Sequence, residues 1–164
     1  MKKKILIIAP HADDETIGCG GTILKHKFNK EEIHYVLVTK LKNHINKINL
    51  KANKNETQLK AMEKIYKFDP INHLDFPATR LDTIEDSAMI YKLNECIKKI
   101  KPNIIYMPFP GDIHSDHRKV FNIACSCTKI FRHPYITDIL LYETLSETNF
   151  SIDPTKLSFK PNLY

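Results

Sequence analysis

Residues 4–15 of the chain read KILIIAPHADDE, and this stretch indicates the fold class. The apolar run from Ile5 to Ala9 shows no alternation and is short, which is typical of a strand buried on both faces of a parallel sheet. The run stops at Pro10, and His11, Asp13 and Asp14 follow at once. Ligand sites of parallel α/β sheets gather at the carboxyl ends of strands, so these side chains form a candidate site.

The rest of the chain alternates between short apolar runs and helical periodicities. Further strands are expected at residues 33–39, 72–76, 104–107 and 139–142. The apolar stripes of the intervening helices are Ile17, Gly21, Leu24 and Phe28; Leu59, Met62, Ile65 and Tyr66; Ile90, Leu93, Ile97 and Ile100; and Val120, Ile123, Ala124, Cys127 and Ile130. This order predicts an α/β domain with a mostly parallel sheet and helices on both faces.

The composition is that of a globular domain, because 42% of the 164 residues are hydrophobic and 27% are charged. The apolar run after the first lysines is too short for a signal peptide or a membrane span, so we expect a cytoplasmic protein without a membrane span. The cysteines (Cys19, Cys96, Cys125 and Cys127) lack CxxC spacing. We interpret them as small buried side chains in a reducing compartment.

The net charge of +6 raises the question of a nucleic-acid partner. Arginine, which dominates bidentate recognition of phosphates and bases, occurs only at Arg80, Arg118 and Arg132 among 25 basic residues. The lysines are scattered along the chain, and no stripe of aromatic and basic residues is present. The pattern favours a lysine-coated surface, and we expect no nucleic-acid partner.

A second polar cluster, residues 111–118, follows the strand predicted at 104–107 and contains His117. If that strand neighbours the first one, both clusters lie at one edge of the sheet. A catalytic zinc ion takes three protein ligands from His, Asp or Glu and keeps one position for water, whose pKa falls towards about 7. His11 and Asp14 from one loop and His117 from the other form such a set. We therefore predict one zinc ion per chain, with Fe2+, Co2+ or Ni2+ as possible substitutes.

The neighbouring side chains suit the remaining tasks of a metal-assisted hydrolysis. Asp13 lies next to a ligand and can act as the base, while His114, one helical turn before His117, can donate to a developing oxyanion. Asp116 is suited to orient a histidine from outside the ligand set. Arg80 and Arg118 are candidate contacts for a sugar hydroxyl or a phosphate.

Two motifs resemble the signatures of the PIG-L family, also called LmbE-like deacetylases. Residues 9–22, APHADDETIGCGGT, resemble the first signature, and Asp112-x-His114-x-Asp116-His117-Arg118 resembles the second. The similarity extends over nearly the whole chain, including residues 77–82 and 142–148. The resemblance implies a Rossmann-like three-layer fold and zinc-dependent removal of an N-acetyl group, usually from an N-acetylglucosamine-type sugar, in glycan or glycoconjugate biosynthesis.

By position, the family's zinc ligands correspond to His11, Asp14 and His117, its general base to Asp13 and its oxyanion-stabilising histidine to His114. Asp116 matches the acid that supports that histidine. Three features depart from the family. Asp112 replaces a tyrosine that some members carry, and residues 55–58 replace an Arg-x-x-Glu pair with Asn and Gln. Relatives also continue through another strand and helix, so we expect one domain spanning residues 1–164 that is truncated at its C-terminus.

Other functions stay open. A non-catalytic protein that binds a metal or nucleic acid would keep the charge but show no hydrolysis. A metallo-β-lactamase-type hydrolase would require a histidine at position 112, and a dinucleotide-binding module would require a third glycine after Gly18-x-Gly20, where Ile23 stands. The expected partner is a small amino-sugar or glycoconjugate substrate, and a homo-oligomer is compatible with the sequence.

Overall fold

A computed structural model describes residues 2–40, 49–68, 71–150 and 158–163, but not the side chains of residues 49–56 and 58. Its elements in chain order are β1 (Lys4–Ala9), α1 (Asp14–Phe28), β2 (Glu32–Lys40), α2 (Asn49–Tyr66), β3 (Ile71–Pro77), a short 3-10 turn (Leu81–Thr83), α3 (Asp86–Ile100), β4 (Ile104–Pro108), α4 (Ser115–Cys127), β5 (Asp138–Tyr142) and α5 (Leu145–Thr148). Every strand expected from the sequence is therefore present.

The strands form one parallel sheet in the order β3-β2-β1-β4-β5. β1 occupies the centre and pairs with β4, where Ile7 stands opposite Tyr106. From β1 the chain moves outwards to β3 and then returns across the sheet to β4. The point at which the strand order reverses lies between β1 and β4, which is where α/β sheets bind their ligands.

Helices cover both faces of the sheet, as expected. Because successive side chains of a strand point to opposite faces, β1 contributes Leu6 and Ile8 to one core and Ile5 and Ile7 to the other. The first core is completed by α3 and α4, and the second by α1 and α2. The result is the predicted three-layer sandwich.

The buried face of α1 differs from the predicted stripe. Ile17, Leu24 and Phe28 are 46%, 45% and 86% exposed, whereas Cys19 and Ile23 are buried. The helix is kinked at Cys19, which has φ −143° and ψ 22°. Small residues on either side of the kink let α1 approach the sheet closely. The face of α1 that is buried is therefore the one that packs closely, and not the one with the largest apolar side chains.

Gly18 is required by this close approach. A Cβ atom at Gly18 would lie 2.8 Å from the carbonyl oxygen of Glu143 and closer still to Cδ2 of Tyr142. A Cβ atom at Gly20 would lie 2.9 Å from the hydroxyl of Tyr66. Gly18 and Gly20 therefore serve helix packing, which explains the pattern that suggested a dinucleotide-binding module.

Smaller predictions were also wrong. α4 ends at Cys127, so Ile130 lies outside the helix and is 65% exposed. All four cysteines are free, but Cys125 is exposed and not buried as expected.

Within the described ranges, no helix has both the length and the apolar character needed to cross a membrane.

Candidate metal centre

The two polar clusters meet at the carboxyl ends of β1 and β4. His11 follows β1, and His114 and His117 follow β4. The ring centroid of His11 lies 4.7 Å from that of His114 and 5.3 Å from that of His117. The two clusters were expected to meet if their strands are neighbours. β1 and β4 are paired, so this condition is met.

Asp14 lies between the two histidines of the predicted ligand set. Its Oδ2 atom is 3.4 Å from Nδ1 of His11 and 3.3 Å from Nε2 of His117. One candidate ligand atom from each of the three residues lies within 4.8 Å of the others. The backbone N–H of His11 also donates to Oδ2 of Asp14, at 2.7 Å, which holds the carboxylate in the loop.

The side chain of His117 is the best indication that a cation fits here. It is 1% exposed, and its buried Nε2 atom makes no hydrogen bond in the described part of the chain, although Oδ2 of Asp14 lies 3.3 Å away. A buried polar atom that makes no hydrogen bond is costly, and a metal ion between the two groups would satisfy it. Two imidazoles and one carboxylate are ligands that Zn2+ accepts at a catalytic site.

A second set, composed of His11, His114 and Asp116, is equally compact. In that set, however, the Asp116 carboxylate is already engaged, because Oδ2 accepts the N–H of Thr79 at 2.6 Å and Oδ1 accepts that of Leu81 at 3.2 Å. The set containing His117 therefore has the stronger claim to a metal.

Asp112 contacts a predicted metal ligand and was not among the predicted site residues. Its side chain is 0% exposed, and its Oδ2 atom lies 2.9 Å from Nδ1 of His117. Metal-binding histidines commonly donate their second ring N–H to a carboxylate, which fixes the tautomer and the ring orientation. The available signal in the sequence was an acid five residues before a predicted histidine ligand.

Asp116 and His114 are arranged differently from the expectation. The Asp116 carboxylate contacts Nε2 of His11 at 3.1 Å, while its link to His114 runs through the backbone. The N–H of Asp116 donates to Nδ1 of His114 at 3.1 Å, so His114 is the N-cap of α4. Because Nδ1 accepts this bond, the proton of a neutral His114 ring lies on Nε2.

The local charges favour protonated histidines when no cation is bound. Burial lowers the pKa of His11 and of His117, but the nearby carboxylates outweigh burial and raise both values to about 9. These carboxylates are Asp116 and Asp14 for His11, and Asp112 and Asp14 for His117. Burial raises the pKa of Asp14, yet the two histidines reverse this and hold it well below its usual range. A cation bound between these side chains would displace the extra protons of His11 and His117.

The two residues expected to act on the substrate have pKa values shifted in the direction that favours their uncharged forms. Burial, and then the charge of Asp14, raise the pKa of Asp13. Burial, and then the charge of His11, lower the pKa of His114. Asp13 is the N-cap residue of α1 but its side chain makes no capping hydrogen bond, so its carboxylate is not engaged by the helix N-terminus.

The two predicted substrate arginines have different surroundings. Arg80 is exposed in the turn after β3, between the residues whose backbone amides bind Asp116. Arg118 instead braces the second loop, because its Nη1 donates to the carbonyl oxygens of Asp112 and Ile113. The side chains at positions 55 and 58 lie outside the described residues.

Comparisons with known proteins identify a family to which the sequence is similar. A family model described as PIG-L, GlcNAc-PI de-N-acetylase, matches residues 6–128. The diacetylchitobiose deacetylase of Thermococcus kodakarensis is 31% identical over 125 residues, which are 71% of this chain and 45% of that protein. The chain therefore spans about half the length of this curated relative.

Solved structures show the same fold. The N,N'-diacetylchitobiose deacetylase from Pyrococcus horikoshii superposes with a TM-score of 0.66 at 23% identity, covering 97% of this chain and 57% of that one. The 4-carboxy-2-hydroxymuconate hydratase of Pseudomonas putida gives 0.62 at 16% identity, covering 76% and 55%. Since the fold accommodates a hydratase as well as a deacetylase, the reaction must be argued from the site.

Proposed function

Because this chain belongs to the PIG-L family of de-N-acetylases, we propose that it is a metal-dependent hydrolase that removes an N-acetyl group from an amino sugar. One observation carries the proposal: the buried Nε2 of His117, which makes no hydrogen bond within the described residues, lies 3.3 Å from the carboxylate of Asp14, and the two residues come from loops that are distant in sequence. The family match spans both loops. The substrate class is proposed from the family description and from the relative that acts on diacetylchitobiose.

In the proposed arrangement, His11, Asp14 and His117 would hold the metal, and zinc is the proposed ion. Such an ion would polarise the acyl carbonyl as a Lewis acid and lower the pKa of water when bound. Two histidines and one aspartate are a donor set typical of catalytic zinc, which needs solvent or substrate to complete it.

Asp13 acts as the base in this proposal. It removes a proton from the attacking water and later transfers it to the nitrogen of the leaving amine, so the amide C–N bond breaks as acetate and a free amine form. Its raised pKa suits both steps, because a base works best when its pKa lies near the operating pH.

His114 stabilises the charge that develops on the acyl oxygen. Its Nδ1 accepts the N–H of Asp116, which leaves the Nε2–H of a neutral ring to donate to that oxygen. The lowered pKa of His114 favours the neutral ring, so the neutral form and not a protonated one is the proposed donor.

Arg80 is the remaining candidate for a substrate contact. It is exposed next to residues that contact Asp116, so it lies near the site without filling it. Arg118 is a weaker candidate, since one of its nitrogens already holds the loop.

The test is acetate release from N-acetylglucosamine and N,N'-diacetylchitobiose by metal-free protein, before and after addition of one equivalent of Zn2+ or Co2+. We expect release, with an equal amount of new free amine, only after metal addition. Metal binding without release from any N-acetylated sugar would favour the non-catalytic metal-binding alternative. Release that is unchanged after removal of all metal would contradict the proposed mechanism.

A further inference from the structure

We propose that Thr148 positions the metal ligand His117 through Asp112, so that the short helix α5 tunes metal affinity. This inference rests on the proposed function, because it requires His117 to be a ligand. It concerns residues outside the predicted ligand and catalytic sets.

The contacts form a continuous chain of hydrogen bonds. The Thr148 hydroxyl lies 2.6 Å from Oδ1 of Asp112, and Oδ2 of Asp112 lies 2.9 Å from Nδ1 of His117. Asp112 is 0% exposed, and Thr148 is 9% exposed. In a buried site neither bond can be replaced by water without rearrangement, so each strongly restrains its partners.

The direction of the Thr148 bond is determined by its other partner. The backbone N–H of Thr144 donates to Oγ1 of Thr148 at 2.8 Å. The hydroxyl oxygen is therefore an acceptor towards Thr144, and its own proton points to Asp112. With one oxygen held by Thr148, the Asp112 carboxylate presents the other to His117 and leaves Nε2 of the ring for the metal.

The backbone around this chain is also fixed. The N–H of Ile113 donates to the carbonyl oxygen of Glu147 at 3.1 Å, which joins the loop after β4 directly to α5. Arg118 also holds this loop, because its Nη1 donates to the carbonyl oxygen of Asp112 at 2.8 Å. α5 therefore sets both the position of the Asp112 backbone and the orientation of its carboxylate.

The experiment compares Thr148→Val, which removes the hydroxyl at nearly constant shape, with Thr148→Ser, which keeps it. Zn2+ and Co2+ affinities are measured by competition with a chelator, and the visible spectrum of the Co2+ form reports ligand geometry. We expect a roughly tenfold weaker affinity and an altered Co2+ spectrum for Thr148→Val, and wild-type behaviour for Thr148→Ser. Asp112→Asn should weaken binding about 10–100-fold.

A double variant tests whether Thr148 acts through Asp112. Adding Thr148→Val to Asp112→Asn should cause little further loss of affinity, because the path is already broken. Wild-type affinity in folded Thr148→Val would overturn the inference, as would equal losses for Thr148→Ser and Thr148→Val or fully additive losses in the double variant. If Thr148→Val does not fold, the comparison of Thr148→Ser with Asp112→Asn decides: equal losses overturn the inference.

Failure of this inference is distinguishable from failure of the proposed function. The readout is metal affinity, so the result stands whether or not a given amide is cleaved. If the wild-type protein binds neither Zn2+ nor Co2+, both proposals fail. If the wild-type protein binds metal and the valine variant binds it equally well, only this inference fails.

Discussion

Nε2 of His117 lies 3.3 Å from Oδ2 of Asp14, although one residue follows β4 and the other follows β1. The two loops meet because β1 and β4 are neighbouring parallel strands, whose carboxyl ends lie at the same edge of the sheet. The proposed chemistry depends on this contact, and the predictions below test its parts separately.

Asp13→Asn should abolish turnover without removing the metal. An amide cannot take the proton of the attacking water, so the rate of acetate release should fall about 10²–10⁴-fold. Elemental analysis should show the wild-type metal content. Asp138→Asn, at the opposite end of the sheet, is the matched control and should keep the wild-type rate. A near-normal rate in Asp13→Asn would refute the assignment of the base.

Substitution of single histidines should separate the two candidate ligand sets. His117→Ala should lose bound metal, whereas His114→Ala should retain it and lose rate, because His114 is proposed to contact the substrate and not the ion. The measurements are metal content after dialysis and acetate release. The opposite pattern, with metal lost in His114→Ala and kept in His117→Ala, would identify His11, His114 and Asp116 as the ligands. His73→Ala, at an exposed histidine of β3, is the control.

Replacing the glycines of α1 should have opposite effects on stability. Gly18→Ala should lower the free energy of unfolding by about 1–3 kcal/mol, because its Cβ would collide with Tyr142 and Glu143. A Cβ atom added at Gly21 would have no atom within 4 Å. Gly21→Ala should therefore raise the free energy of unfolding by about 0.5–1 kcal/mol. Urea unfolding measures both. Equal effects would mean that α1 does not pack on β5 as described.

The sequence was sufficient for the layers of the fold but not for every helix face. Continuous apolar runs predicted β1 and β4 correctly, because strands buried on both faces leave that pattern. The exposed Ile17, Leu24 and Phe28 were misassigned, because periodicity cannot show that small residues pack α1 closely against Tyr142.

The sequence predicted the side chains of the candidate site whose residue types and spacing are typical of metal ligands. The approach of His11, Asp14 and His117 followed from motifs at two strand ends. The support from Asp112 and Thr148 did not, because it depends on a contact between distant segments that no local pattern encodes. The cytoplasmic location, the absence of a nucleic-acid partner and the oligomeric state stay predictions.

The metal-free protein should lose stability as the pH rises from about 6.5 to 9. The pKa values of His11 and His117 are raised to about 9, so their contribution is fully present below the unfolded value of 6.5 and is lost as the pH rises through 9. Asp14 acts in the opposite sense, because its lowered pKa stabilises the fold above about 3.8 and less as the pH falls.

Metal should stabilise the protein more at the alkaline end of this range, because the ion competes with protons for the histidines. Thermal unfolding with and without one equivalent of Zn2+ measures the difference at pH 6.5 and pH 9. The gain in Tm should be larger at pH 9. A gain that is independent of pH would exclude the histidines as the groups displaced, and His117→Ala should reduce the dependence.

The most direct test of the central claim is anomalous diffraction from crystals of the protein loaded with one equivalent of Zn2+. The account predicts one strong peak within about 2.0–2.2 Å of a nitrogen of His11, a nitrogen of His117 and an oxygen of Asp14. A peak bound by His114 and Asp116 instead, or no zinc between the two loops, would contradict it.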